Sequence, residues 1–245
     1  MSEYKNKHGL TRTIPEGVQR RIRQNAGFGC VICGLGIWEY EHLDPEYADA
    51  KEHDPEAMTL LCAQCHTKKT RGFIDKKTVL NASKNPKALK NGFSNEFFTF
   101  NDQPLKIYFG GAVFEDCRIP LQINGIPILE MYSPEEVGAP FRLSATFYDS
   151  NGLKTLRIEK NEWRALNDNW DVDTEGSVII IREKLGKISL VIKAVPPNEI
   201  RIERIKMKFK EIDIIGNADS LKIEGNTWYG LSAYGCNVGI DYHTR

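Results

Sequence analysis

The sequence predicts an α+β protein that has a small, metal-stabilised N-terminal domain and an all-β C-terminal domain. Two C-x-x-C pairs lie close together in the first part of the chain, Cys30 with Cys33 and Cys62 with Cys65. After residue 92 short alternating runs follow one another, separated by turn residues. The 245 residues, 41% hydrophobic and 27% charged, suffice for one large globular domain or two modest ones. We place the domains at residues 1–91 and 92–245.

The first predicted element is a helix over residues 13–26. Thr13 can cap its N-terminus, and Ile14, Val18 and Ile22 repeat every four residues on one face. This pattern is typical of a helix that packs one apolar face on a core.

The segment between the cysteine pairs predicts two short strands and a second helix. Glycines surround the first pair in GFGCVICGLG, as a tight metal-binding turn requires. A strand is predicted at 37–43, a second at 58–61, and a helix from Ala63 to about Thr70. A basic helical stretch, interrupted by Pro86, is predicted at 75–90.

The two cysteine pairs, with 28 residues between them, are the chemical signature of the N-terminal domain. Four thiolates can converge on one tetrahedral zinc ion, and such a site is structural because it leaves no position for water. A redox-active pair is the alternative, but no thioredoxin-like βαβ pattern accompanies the pairs. Cys117 and Cys236 are isolated in the sequence and are expected to be core or surface thiols.

The C-terminal half predicts a β-sandwich or a short β-solenoid. Its predicted strands are PLKIYF, RIPLQI, IPILEMY, FRLSATFY, LKTLRIE, SVIIIR, KISLVIK, EIRIERIKM and SLKIEG. YDSNGL at 148–153 is typical of a hairpin turn. We expect a regulatory, partner-binding or oligomerisation role for this half, with target-site recognition as the second possibility.

Charge is distributed unevenly although the net charge is zero. Residues 1–90 contain 15 Lys and Arg against 11 Asp and Glu, whereas residues 91–245 contain 18 against 22. A basic first half suits a polyanionic partner. The N-terminus has no apolar signal segment, and no stretch reaches the length of a membrane helix. We therefore expect a cytoplasmic protein with no membrane partner.

Three motifs in a fixed order resemble the HNH, or ββα-metal, endonucleases. They are CVIC at 30–33, EH at 41–42 and LLCAQCHTKKT at 60–70, and the resemblance covers residues 12–74. Within this family, the sequence resembles the branch that is stabilised by two cysteine pairs. In more detail, it resembles a bacterial subgroup with a β-rich C-terminal half. The order of the motifs is more specific than any one of them.

The resemblance implies roles for three residues. His42 would be the general base, while Glu41 and His66 would bind a catalytic divalent ion, Mg²⁺ or Mn²⁺, with Ni²⁺ also compatible. Glu41 stands where the family usually has Asp. The family's middle Asn, which holds the loop that carries the base, would fall near Ala57. This role would therefore pass to His53 or Asp54.

Adjacent residues on a regular strand point to opposite faces of the sheet. Glu41 and His42 must nevertheless reach one phosphate. The strand is therefore expected to end or bulge at this point.

Basic side chains in two places are candidate phosphate contacts. Lys68, Lys69 and Arg71 lie on or just beyond the second helix, where they could equally complement the helix dipole. Arg20 and Arg23 lie on the polar face of the first helix. Basic residues on such a face are usually solvated, and contact with phosphate is the alternative.

These observations predict a metal-dependent endonuclease that hydrolyses DNA phosphodiester bonds, with RNA left open as a substrate. Restriction or antiphage defence is suggested by the resemblance alone. The rival prediction is a non-catalytic zinc module that binds nucleic acid or protein. A protein partner or a homo-oligomer would form through the β domain.

Overall fold

A computed structural model describes residues 5–244 of the protein. The helices are α1 Glu16–Ala26, α2 Ala63–Thr70, α3 Lys76–Lys84 and α4 Lys87–Asn91. The strands of the first half of the chain are β1 Glu39–His42, β2 Met58–Leu61, β3 Phe93–Phe97, β4 Lys106–Phe109, β5 Ala112–Glu115 and β6 Ile119–Ile123. The next strands are β7 Ile126–Tyr132, β8 Arg142–Tyr148, β9 Lys154–Glu159, β10 Glu162–Leu166, β11 Asp171–Glu175, β12 Val178–Lys184 and β13 Lys187–Val195. The last strands are β14 Glu199–Phe209, β15 Ile212–Gly216, β16 Ser220–Ile223, β17 Asn226–Tyr229, β18 Ser232–Tyr234 and β19 Val238–Tyr242.

The chain folds into two compact units. The N-terminal unit runs to Glu96 and also includes Ala165–Asp173, and the C-terminal unit comprises Phe97–Arg164 and the chain from Thr174 onward. The sequence predicted one division, between residues 91 and 92, and did not predict that a second segment joins the N-terminal unit. No helix in the described chain is long and apolar enough to cross a bilayer.

The core of the N-terminal unit forms where α1 packs on the hairpin of β1 and β2. Ile22 is fully buried, and Ile14 and Val18 pack against the same core. The predicted helix begins later than expected, because the residue before its first turn is Pro15 and no side chain caps it. Thr13 is therefore not the cap that the sequence predicted. The helix ends at Gly27, whose φ of 67° allows the chain to turn away.

The strands β1 and β2 pair antiparallel, with Glu39 opposite Leu61 and His42 opposite Met58. All four residues of β2 are buried, which explains why MTLL carries no charge. A single residue, Cys62, separates β2 from α2. The order β1, β2, α2 confirms the predicted ββα arrangement.

Arg23 explains why residues 165–173 belong to the N-terminal unit. Its side chain is 0% exposed, and it donates through Nε and Nη2 to the two carboxylate oxygens of Asp171 at 2.8 and 2.7 Å. Burial alone would lower the pKa of Arg23, but Asp171 and neighbouring groups raise it. The charge is therefore kept inside the fold by a paired carboxylate. The prediction that Arg23 contacts nucleic acid is wrong, because this ion pair takes its guanidinium out of solvent.

The C-terminal unit consists of sandwich-like β-sheets, which confirms the all-β prediction. One sheet contains the neighbours β19, β6, β7, β8 and β9 in that order, and the other contains β12 to β17 as a consecutive meander. Burial alternates along β8 and β15, as expected for strands with one face in a core. The predicted turn between β8 and β9 is built on Asp149, whose carboxylate accepts from the amides of Asn151 and Leu153 at 2.8 and 2.9 Å.

Candidate active site and metal centre

The four cysteines of the C-x-x-C pairs form one cluster. The Sγ atoms of Cys30, Cys33, Cys62 and Cys65 all lie within 4.8 Å of one another, and those of Cys33 and Cys62 are 3.6 Å apart. In a tetrahedral site with zinc about 2.3 Å from each sulfur, neighbouring sulfurs lie about 3.8 Å apart. The cluster therefore has the size and the donor set of a four-thiolate metal site.

Local backbone geometry brings each pair together. After the first pair the chain turns at Gly34, whose φ is +87° and whose amide donates to the Cys30 carbonyl at 2.7 Å. A side chain at Gly29 would place its Cβ 2.7 Å from the Gly34 carbonyl oxygen, so this turn requires glycine at both positions. In the second pair Cys62 caps α2, and its sulfur accepts from the Cys65 amide at 3.4 Å.

The cysteines of the cluster differ in the pKa of their thiols. The hydrogen bond from Cys33 lowers the pKa of Cys30 to about 5, and the same bond raises the pKa of Cys33. Burial raises the pKa of Cys65 to about 12. Four thiolates would repel one another without a cation, so binding of a divalent ion should displace the remaining protons.

A second group of polar side chains lies at the end of β1, beside a cavity of about 270 Å³. The residues that line it are Arg12, Ile14, Tyr40, Glu41, His42, Glu46, Tyr47, Ala48 and Lys69. Glu41 and His42 both line the cavity although they are consecutive. The expected strand end is observed, because β1 stops at His42.

The carboxylate of Glu41 joins β1 to α2. Its Oε2 lies 3.1 Å from Nε2 of His66, and its Oε1 forms an ion pair with Lys69. His66 and Lys69 lie on one face of α2, three residues apart. The structure thus brings together the carboxylate and the imidazole that the family resemblance implies as ligands of a catalytic ion.

His42, His53 and Thr11 form a chain of hydrogen bonds. Nε2 of His42 is 3.1 Å from Nδ1 of His53, and Nε2 of His53 is 3.0 Å from the carbonyl oxygen of Thr11. Because a carbonyl only accepts, Nε2 of a neutral His53 carries the proton, and its Nδ1 accepts from Nε2–H of His42. The Nδ1 atom of His42 is then left with an unshared electron pair.

The surroundings of His42 favour its neutral form. Burial is the largest cause that lowers its pKa below the ordinary value of 6.5, and His53 and Arg12 lower it further, whereas Glu41 opposes them. A neutral imidazole with an unshared pair on Nδ1 can accept a proton.

Of the two residues expected to replace the family's middle Asn, only His53 contacts His42. The carboxylate of Asp54 accepts instead from the Glu56 amide at 2.9 Å. The backbone carbonyl of Ala57 accepts from the Leu43 amide at 2.9 Å, which holds the loop to the end of β1.

The basic residues predicted to contact nucleic acid occupy different environments. Lys68 and Arg71 are exposed, whereas Lys69 points to Glu41. Arg20 packs its guanidinium over the Trp170 ring, 4.5 Å from the ring centre, and its side chain is only 16% exposed. Arg20 thus belongs to the same cluster as Arg23 and Asp171, from whose Oδ2 its Nε is 3.9 Å away.

The N-terminal segment before α1 also contributes to the site, which the sequence did not predict. Arg12 lies over the Tyr47 ring at 4.6 Å and lines the cavity. Asn6 donates to the carbonyls of Tyr47 and Ala50 at 2.6 and 2.7 Å. These bonds fix the segment that supplies the Thr11 carbonyl, and no spacing or motif in the sequence indicated them.

Comparison with known proteins locates a family match within this unit. Residues 30–72 match the model of the HNH endonuclease family, a span that begins at the first cysteine and ends just beyond α2. Neither the curated proteins nor the solved structures yielded a match to the chain. The matched segment contains both cysteine pairs, both strands of the hairpin and α2. Residues 30–72 therefore form an HNH endonuclease domain built around a four-cysteine metal site.

Proposed function

We propose that the protein is a metal-dependent endonuclease that hydrolyses DNA phosphodiester bonds. The observation that carries this proposal is that Glu41 lies 3.1 Å from His66 and lines the same cavity as His42, within the segment that matches the HNH family. We also propose that the four-cysteine cluster binds Zn²⁺, which serves only to stabilise the fold.

The proposed catalytic ion would be held by Glu41 and His66. Within residues 5–244 the cysteine cluster is the sole group of three or more close metal-binding side chains, so a second ion would have few protein ligands. Mg²⁺ suits such a site because it usually keeps several waters and shares phosphate oxygens, and Mn²⁺ accepts the same mixed donors. When bound, the ion would stabilise negative charge on the phosphate.

His42 would act as the general base. Its Nδ1 would take a proton from the water whose oxygen attacks phosphorus, the bond between phosphorus and the leaving oxygen would break, and the leaving oxygen would take up a proton from solvent. His53 would be a positioning residue, since it holds the proton of His42 on Nε2 and keeps Nδ1 available. The cavity beside His42 is where the phosphate would bind.

His53→Ala is expected to lower kcat about 10-fold to 100-fold without weakening DNA binding, because it removes the acceptor that fixes the His42 tautomer. His53→Asn should recover part of the loss, since the amide oxygen occupies the place of Nδ1. The ¹⁵N NMR shifts of His42 should change from one tautomer to a mixture in the Ala variant. An unchanged His42 tautomer would contradict the positioning role.

Lys69 is expected to compete with the catalytic ion for Glu41. Lys69→Met should therefore tighten Mn²⁺ binding by about 3-fold to 10-fold, measured by EPR titration of the zinc-loaded protein. Lys68→Met, one residue away and exposed, is the matched control and should leave Mn²⁺ binding unchanged. Equal changes in both variants would show that only the general charge of α2 matters.

The exposed side chains of Lys68 and Arg71 would contact the phosphate backbone beside the cavity. Such contacts position nucleic acid without reading its sequence. The C-terminal β unit would then have a regulatory, partner-binding or oligomerisation role. Restriction or antiphage defence is the biological use that the resemblance to the bacterial subgroup suggests.

The test is nicking of supercoiled plasmid by the purified, zinc-loaded protein with Mg²⁺ or Mn²⁺. We expect conversion to the nicked circle that stops when EDTA is added, and a single-stranded RNA of equal length serves as the second substrate. If the protein binds DNA but leaves plasmid and RNA intact with every ion, it is a non-catalytic zinc module instead.

A further inference from the structure

Two cysteines outside the metal cluster lie next to each other in the C-terminal unit. Cys117 and Cys236 are 119 residues apart in sequence, yet their Sγ atoms are 2.8 Å apart. The sequence predicted that these isolated cysteines are core or surface thiols. Both are free in the structure, and neither has a part in the proposed hydrolysis.

The fold holds this pair together from both sides. Before the pair, β5 runs parallel to β18, with Glu115 opposite Tyr234. After it, β6 runs parallel to β19, with Ile119 opposite Val238. Each cysteine lies in the short link between two strands of its own chain segment, so the two links run side by side.

Backbone hydrogen bonds continue through the links themselves. The Gly235 amide donates to the Glu115 carbonyl at 3.1 Å, and the Arg118 amide donates to the Cys236 carbonyl at 3.0 Å. The Ile119 amide donates to the Asn237 carbonyl at 2.9 Å. The two backbones are therefore held in register on either side of the sulfurs, so the two cysteine side chains stay within reach of each other.

A small reagent can reach the pair. Both cysteines line a cavity of about 450 Å³. Cys236 is partly exposed, whereas Cys117 is 1% exposed. The arginines of this cavity are already paired, Arg118 with Glu130 at 3.7 Å and Arg142 with Glu135 at 2.7 Å. The distinctive chemistry of the cavity is therefore its pair of thiols.

We propose that Cys117 and Cys236 are an oxidative modification site that forms an intrachain disulfide with a peroxide as the oxidant. The sulfur of Cys236 attacks one peroxide oxygen, the O–O bond breaks, and a sulfenic acid and water are formed. The sulfur of Cys117 then attacks that of Cys236, the S–O bond breaks, and the second water leaves. The two thiols lose two electrons, and one hydrogen peroxide is reduced to two waters.

The environment assigns the order of the two steps. Cys236 is the more accessible sulfur and meets the oxidant first. Burial raises the pKa of Cys117 to about 12, so this thiol is a poor nucleophile toward a reagent in solution. Its position against Cys236 nevertheless makes it the resolving partner, since the sulfenic acid is formed next to it.

The disulfide would tie the link between the last two strands, β18 and β19, to the link between β5 and β6. β19 is an edge strand of its sheet and pairs with β6. A crosslink between residues so far apart in sequence strongly restricts the unfolded chain. Oxidation should therefore stabilise the C-terminal unit, leaving the zinc-bound N-terminal unit unchanged.

The experiment treats the zinc-loaded full chain with a stoichiometric amount of hydrogen peroxide, alkylates the remaining thiols and maps peptides by mass spectrometry. We expect a peptide pair crosslinked through Cys117 and Cys236, reversal by dithiothreitol, and unchanged zinc content. Calorimetry should show a rise in the melting temperature of the C-terminal unit of about 5–10 °C. Cys117→Ser and Cys236→Ser are matched controls that should show no rise.

The proposal is overturned if both thiols remain open to alkylation after oxidation. It is also overturned if the crosslink joins either thiol to a cysteine of the metal cluster, or if Cys236 accumulates as a sulfinic acid without pairing. Peptide mapping of the unmodified sequence decides among these outcomes even if a serine variant fails to fold.

Discussion

Cys62→Ser is expected to release the metal of the four-cysteine cluster and to unfold the N-terminal unit. Cys62 is 4% exposed and contributes both a sulfur to the cluster and the cap of α2. Serine can still cap a helix, but its hydroxyl is a poor substitute for a thiolate ligand. Metal-binding free energy is folding free energy in such domains, about 10–16 kcal/mol for structural zinc in small peptides.

Zinc content by mass spectrometry and hydrogen exchange by peptide measure this effect. We expect about one zinc per chain in the unmodified protein and much less in the variant, with loss of protection confined to the N-terminal unit. Cys236→Ser replaces a cysteine outside the cluster and should retain zinc and protection. If Cys62→Ser kept its zinc, the assignment of the cluster would fail.

His42→Ala is expected to lower the rate of DNA cleavage by at least about 10³-fold, within the range that a general base contributes. The proton acceptor at the cavity is lost, whereas the cysteine cluster and the buried face of β2 are untouched. Zinc content and melting temperature should therefore stay close to those of the unmodified protein.

His243→Ala is the matched control for His42→Ala. His243 is an exposed imidazole that pairs with Asp241 at 2.9 Å in the C-terminal unit, so cleavage should not change. Single-turnover cleavage and DNA affinity are measured for both variants. If His42→Ala lost zinc together with activity, His42 would be a structural residue. If it kept full activity, another group would be the base.

The cysteine cluster and the ββα arrangement could be predicted because their determinants are local. Each C-x-x-C pair closes within four residues, and the turn at Gly34 and the cap at Cys62 are encoded beside the cysteines they position. The buried strand β2 could also be predicted, because MTLL is an uncharged run directly before Cys62. Local chemistry and local geometry therefore agree.

Contacts between distant segments could not be predicted in the same way. Arg23 resembles its neighbours on a basic helix, but its partner Asp171 lies 148 residues away. The hydrogen-bond chain through His53 depends on a carbonyl 42 residues earlier. Such pairings depend on which distant segments the tertiary fold brings together. A single sequence contains no periodicity that indicates these contacts.

In the proposed function, one metal site stabilises the domain and a different one takes part in hydrolysis. The most direct test is a crystal structure of the zinc-bound protein with Mn²⁺ and an uncleavable oligonucleotide, with anomalous data collected at both metal edges. We expect zinc among the four sulfurs and manganese at Glu41 and His66, with a phosphate facing Nδ1 of His42. Manganese bound elsewhere, with Glu41 still paired to Lys69 and the oligonucleotide away from His42, would contradict the proposed function.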